Sequence, residues 1–178
     1  MSIVNLQNSI LRGEVLLPPS KSAAHRALIC SFLSGGGSVA PLVDSDDMRA
    51  TQQVLKALSD GSVIADCIES GSTLRFLIPV AAALGKCITF TGRGRLPQRP
   101  LGDYLRLLPE HGVQCETNGG LPLTIRGRLT AGRYEMAGDV SSQYVTGLLL
   151  ALPLLDGDSE IVLTTPLQSK PYVEMTLG

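Results

Sequence analysis

Tryptophan is absent and aromatic residues make up only 4% of the chain. A surface that stacks nucleic-acid bases needs several rings, so that class has little to build on. Charge of one sign is missing too. Fifteen Lys and Arg stand against sixteen Asp and Glu, a net charge of −1. That balance offers neither a track for nucleic acid nor a polybasic membrane face. No apolar run approaches the ~20 residues of a membrane span. The opening MSIVNLQNSI lacks the basic start and apolar core of a secretory signal. The four cysteines, Cys30, Cys67, Cys87 and Cys115, contain no CxxC pair, which excludes zinc-finger, iron–sulfur and thioredoxin patterns. Each sits in or beside an apolar stretch and is expected as a buried free thiol in a reducing cytoplasm. There is no GxxxxGK[ST] loop and no HExxH. Asp44, Asp46 and Asp47 lack the Gly and distal Glu of a calcium loop, so they read as helix caps. His25 and His111 have no nucleophile or metal context, and His25 is expected on a helix surface.

What is present is a pattern that occurs three times. SKSAAHRAL starts at Ser20, SGSTLRFLIPVAAAL at Ser70 and SSQYVTGLLLALPLL at Ser141. Each opens with small polar residues and runs into an apolar helical segment. A second helix signal follows at offsets of 24, 29 and 28 residues: DSDDMRATQQVLKAL from Asp44, RPLGDYLRLLPEHG from Arg99 and SKPYVEMTL from Ser169. In the helix after Asp44, Met48, Gln52, Leu55 and Leu58 share one side. Leu101, Tyr104, Leu105 and Leu108 make a stripe in the second unit. Gly112 ends that helix, and Pro79 falls inside the one before it. Strand-like runs lie between: EVLLP, CITFTG, VQCET, LPLTIRG, RYEMAG and EIVLTT. The reading is a mixed α and β chain of repeated units, about 14–68, 69–133 and 134–178, within a single domain. The first unit is short after its second helix. The third stops inside a helix pattern, which is expected of a piece of something longer.

A helix start has free N–H groups and partial positive charge, so it attracts phosphate or carboxylate. Taken singly, each of these starts reads as an ordinary cap. Gathered at one end, they would build an anion site. The first supplies Lys21, Ser22 and Arg26, the second Gly71 and Ser72, and the third Ser141, Ser142 and Gln143. Pro100 fixes the turn that would aim Arg99.

The segments LPPSKSAAHRAL, DSDDMRAT, ESGSTLRFL, GRGRLPQRPLGDYL, SSQYVTGLLLALPLL and SKPYVEMTL resemble, in order, the EPSP synthase family. The resemblance implies an α+β fold of βαβαββ units with helices inside and sheets outside, an enolpyruvyl transferase-like domain, here with a truncated third unit. It implies transfer of the carboxyvinyl group of phosphoenolpyruvate to the 5-hydroxyl of shikimate 3-phosphate, on the route to aromatic amino acids, with no metal and no organic cofactor. Lys21 resembles the lysine that touches both substrates. Ser22, Arg26, Ser141, Ser142, Gln143, Ser169 and Tyr172 resemble the shikimate 3-phosphate site. Gly71, Ser72, Arg99 and Gln143 resemble the phosphoenolpyruvate site, which is also where glyphosate binds.

The family's acid–base residues belong to a second domain with no counterpart in this chain. Lys21 is thus the one catalytic candidate, as an electrostatic contact, and the chain alone is expected not to turn over. The expected partners are the two small substrates and that second domain, in a cytoplasmic monomer that binds no nucleic acid and no membrane. Glu69 and Ser72 depart from the family's Asn and Thr, and a carboxylate at 69 would repel an anion unless it turns away. Two alternatives stand beside this reading. One is the sister enzyme acting on UDP-N-acetylglucosamine, which SKSAAHR and SSQYVTG fit poorly. The other is a non-catalytic anion-binding or complementing half.

Overall fold

The structure, a computed structural model, describes residues 3–178 except 6, 9 and 11. Helix α1 spans Lys21–Leu33, α2 Asp46–Asp60, α3 Gly71–Ala83, α4 Gly102–Glu110, α5 Ser142–Ala151 and α6 Lys170–Leu177. The strands are β1 Ile64–Asp66, β2 Ile88–Thr91, β3 Val113–Glu116, β4 Leu123–Gly127, β5 Arg133–Met136 and β6 Glu160–Leu163. No helix among the described residues is long and apolar enough to cross a membrane.

Serine starts four of the helices. The side chains of Ser20, Ser45, Ser70 and Ser141 accept from backbone N–H groups in the first turns of α1, α2, α3 and α5. Each removes one of the donors that a helix start leaves without a partner.

Helix α3 is the axis of the core, with every residue but Ser72 buried. A helix buried on nearly every face must be covered on every side. Helices α2 and α5 and strand β4 cover it. Proline 79 sits inside it and has no N–H, so the Arg75 carbonyl four residues back loses its helical donor. The buried Tyr104 hydroxyl from α4 replaces that donor at 2.6 Å. Helix α5 crosses at the same point, where Gly147 lets the backbones meet; a Cβ there would collide with the Tyr104 hydroxyl and the Arg75 carbonyl.

One sheet has the order β1-β2-β4-β3, with β1 parallel to β2 and the other pairs antiparallel. Ile88 and Phe90 of β2 and Leu123 and Ile125 of β4 face the core. Thr89 and Thr124 pair on the other face, their hydroxyls 2.9 Å apart. Strands β5 and β6 form a second, parallel pair that buries Tyr134 and Met136. The result is an α+β fold with its most apolar helices inside.

Several expectations change. EVLLP forms no strand; Val15, Leu16 and Leu17 are exposed. A strand exists only in a ladder, and no described residue pairs with this segment. Residues 64–66, left unassigned in the sequence reading, form β1 beside β2, so the boundary drawn at 68 falls between this strand and α3. The α2 stripe is right at Met48, Leu55 and Leu58, but Gln52 is exposed. The α4 stripe also includes Leu107, while Leu105 is only half-buried. Among the cysteines only Cys67 is buried; Cys30 and Cys87 are exposed and Cys115 is intermediate.

Candidate anion site

The starts of α1, α3, α5 and α6 meet around a cavity of about 410 Å³. Ser22, Ser72, Ser141, Ser142, Gln143, Ser169 and Tyr172 line it, with Arg26, Arg75 and Arg99. The hydroxyls of Ser22, Ser142 and Ser169 have no partner among the described residues, so they are free to meet a ligand. Ser169 holds a left-handed backbone (φ 55°), which is uncommon away from glycine.

The three guanidinium groups differ in how they are held. Arg26 is buried, and four of its five N–H donors are taken. Nη1 donates to the Ser22 carbonyl at 2.7 Å, Nε to Thr176 Oγ1 at 2.8 Å, and Nη2 to the Tyr172 carbonyl at 2.6 Å and Thr146 Oγ1 at 3.2 Å. It therefore ties α6 to α1 and keeps one N–H in reserve. Burial lowers its pKa below the usual arginine value. Arg75 is also buried. Its Nη1 donates to Gln143 Oε1 at 2.8 Å and its Nη2 to the Pro100 carbonyl at 3.2 Å, while Nε has no partner. Gln143 in turn donates to Ser72 Oγ at 2.9 Å, joining α3 to α5 across the cavity floor. Tyr144 also donates to the Pro100 carbonyl, so the residue after Arg99 is pinned twice. Arg99 itself is exposed at the rim, against Gly71.

None of these three arginines has a carboxylate within 4 Å among the described residues; the ion pairs formed there use other cations. Leaving a buried cation without a counter-charge is expensive. The cavity wall holds no Asp or Glu to relieve it.

Lys21 and Gly71 lie beside the wall rather than on it. Lys21 Nζ pairs with Asp47 Oδ2 at 2.5 Å. Burial alone would raise the Asp47 carboxyl; hydrogen bonds from Lys21 and Ser70 outweigh it and hold the group below its ordinary value. Gly71 is buried under Arg99, and a Cβ there would stand 2.5 Å from Arg99 Nη1. Glu69 is exposed, off the cavity wall, with its carboxylate against Gly94, so it has turned away from the anion site.

His25 is not on a helix surface. It is 2% exposed and lies on the cavity wall. Its Nδ1 meets Thr51 Oγ1 at 2.8 Å, and its ring stands edge-on to Phe76. Burial, with Lys21 and Arg26 adding to it and Asp47 opposing, lowers its pKa to about 4.

Sequence reasoning missed Arg75, Thr146 and Phe76. Helical spacing could have found Arg75, which stands three residues after Ser72 and so on the same face. Thr146 likewise follows Ser142 by four.

A profile of the family described as EPSP synthase (3-phosphoshikimate 1-carboxyvinyltransferase) matches residues 6–65 and 60–178. Its two stretches meet where α2 runs into β1. The 3-phosphoshikimate 1-carboxyvinyltransferase of Clostridium kluyveri is 48% identical over 200 aligned positions, covering 99% of this chain and 46% of its own. That of Clostridium novyi is 42% identical over 207, covering 99% and 48%. A solved EPSP synthase from Acinetobacter baumannii has the same fold, with a TM-score of 0.73 at 20% identity over 91% of this chain and 42% of that one. The chain spans about half the length of the curated relatives it matches.

Proposed function

The chain belongs to the EPSP synthase family, and from that premise we propose that its cavity binds shikimate 3-phosphate and phosphoenolpyruvate for carboxyvinyl transfer. The observation that carries the reading is the set of three arginines, Arg26, Arg75 and Arg99, facing one cavity without a carboxylate. Two phosphorylated substrates, each also a carboxylate, supply the missing counter-charge. The free hydroxyls of Ser142 and Ser169 and the amide of Gln143 suit the phosphate and the ring of shikimate 3-phosphate. Arg99 over Gly71 suits phosphoenolpyruvate.

In the proposed reaction the 5-hydroxyl oxygen gives up its proton and bonds to C2 of phosphoenolpyruvate as C3 gains a proton. Phosphate then leaves C2 as the methyl group returns a proton, which restores the double bond. This cavity would position both substrates and stabilise their charge. Its wall offers no carboxylate for the proton transfers. We assign those to a second domain of the kind the family carries, closing over the cavity.

Calorimetric titration tests the binding half of this reading. The 178-residue chain should bind shikimate 3-phosphate, and Lys21→Ala should bind it roughly tenfold more weakly, the loss of about one charge-assisted hydrogen bond. Gly71→Ala should weaken phosphoenolpyruvate instead, by displacing Arg99. Unchanged affinity in Lys21→Ala removes that lysine from the site. No binding of either ligand by the unaltered chain ends the reading.

A further inference from the structure

Lys21 differs from the three arginines of the cavity in having a carboxylate. Its Nζ donates to Asp47 Oδ2 at 2.5 Å, and no second acceptor meets it among the described residues. Two of the three ammonium protons are therefore uncommitted. Lys21 opens α1, one residue before Ser22 on the cavity wall, yet it is not on the wall itself. The pair lies between the starts of α1, α2 and α3. Asp47 stands in the first turn of α2, and Ser70, the cap of α3, also bonds its carboxylate.

Asp47 is the better held of the two. The start of α2 favours a negative charge there. Its backbone carbonyl accepts from Thr51 Oγ1 at 3.0 Å and lies 3.4 Å from Thr73 Oγ1 of α3. Its side chain is 28% exposed, against 52% for Lys21. The lysine, on a flexible four-carbon stem, is the partner that can move.

We propose that Asp47 is a latch on Lys21. In the empty chain it holds the ammonium off the cavity, and an anion gains Lys21 only by drawing it from this carboxylate. The inference rests on the shikimate 3-phosphate reading. It makes Asp47 a positioning residue, which touches no ligand and acts through Lys21. A phosphate dianion attracts the ammonium more strongly than a single carboxylate does, so the substrate can open the latch. Part of the attraction is spent on opening it, and the chain binds its anion less tightly than its cations alone would allow.

A calorimetric double-mutant cycle tests the latch. Asp47→Asn removes the charge and keeps the size of the side chain. It should bind shikimate 3-phosphate roughly 3- to 10-fold more tightly than the unaltered chain. Damage to the fold would weaken binding, so the sign separates the latch from a structural role. Loss of a nearby negative charge would also help an anion, but by the same factor with or without Lys21. The latch requires that the gain depend on Lys21. In a Lys21→Ala background the same substitution should give a gain roughly threefold smaller. Equal gains in both backgrounds overturn the latch and leave Asp47 a source of simple repulsion. Unchanged or weaker binding by Asp47→Asn overturns it as well, and the substrate site stands as long as the unaltered chain binds. If neither the unaltered chain nor Asp47→Asn binds, the site reading fails and the latch with it.

Discussion

At His25 two demands meet: the ring must fill a place between α1, α2 and α3, and it must do so uncharged. The unfolded imidazole titrates near 6.5 and the folded one at about 4. Between those values the unfolded chain binds a proton that the folded chain excludes. Stability therefore rises with pH across this window and is fully present above pH 6.5. The separation is worth roughly 3 kcal/mol. Asp47 acts in a different window. Its carboxyl is held below 3.8, so its contribution is present above that value and is lost only as pH falls further. Urea unfolding at pH 4, 5 and 6.5 separates the two. The unaltered chain should lose stability steadily from pH 6.5 to 4, and His25→Phe should show a shallower profile there, keeping the slope from His111, whose pKa burial also lowers. Equal slopes in the two proteins would mean that His25 is charged in the folded state. The helix-surface expectation for His25 failed for a physical reason. The α1 residues that face inwards are Ala24, His25, Arg26 and Ile29, a half-polar set that no apolar pattern marks.

At the scale of elements, the crossing of α3, α4 and α5 is where proline, glycine and tyrosine depend on one another. Pro79 frees the Arg75 carbonyl, Gly147 gives the space, and the Tyr104 hydroxyl fills it, touching the Tyr144 carbonyl at 3.1 Å as well. Tyr104→Phe keeps the ring and removes the donor, leaving a buried carbonyl without a partner. It should destabilise the fold by about 1–3 kcal/mol in denaturant unfolding with an unchanged m-value. A loss below about 0.5 kcal/mol would mean that the Arg75 carbonyl has another donor. The sequence showed Pro79 and the tyrosine stripe, but the link between them is a contact between residues 29 apart in the chain. Local signals were legible for the same reason that they are local. The caps at Ser20, Ser45, Ser70 and Ser141 and five of the six expected strands depend on near neighbours or on plain alternation. EVLLP has the composition of a strand and lacks a ladder to join, and no property of the segment itself reports that.

For the molecule as a whole, a net charge of −1 hides a local imbalance: three arginines at one end of the helix bundle without acidic partners among the described residues. The serine-capped starts of α1, α3 and α5 come together there. That convergence was legible in the sequence as a repeat, and Arg75 escaped because it sits inside an apolar run. Such an arrangement sets binding against stability. The free chain holds the cations at some cost, and a bound anion removes it. Arg99 is the cleanest probe because it is exposed, makes no ion pair among the described residues and bears little of the fold. Arg99→Ala should leave the melting temperature of the free chain within about 2 °C, the effect of roughly 0.5 kcal/mol in a domain of this size. The response to ligand should separate the two proteins. A ligand at about 100 times its Kd stabilises the folded state by about 2.7 kcal/mol, or roughly 5–10 °C. Phosphoenolpyruvate added with saturating shikimate 3-phosphate should raise the melting temperature of the unaltered chain further, and this second increment should be absent in Arg99→Ala. If the variant keeps the full increment, Arg99 is ordinary solvated charge and the counter-charge must be sought at Arg75. If the free variant melts many degrees lower, Arg99 supports the fold and the opposition between binding and stability does not hold at the rim.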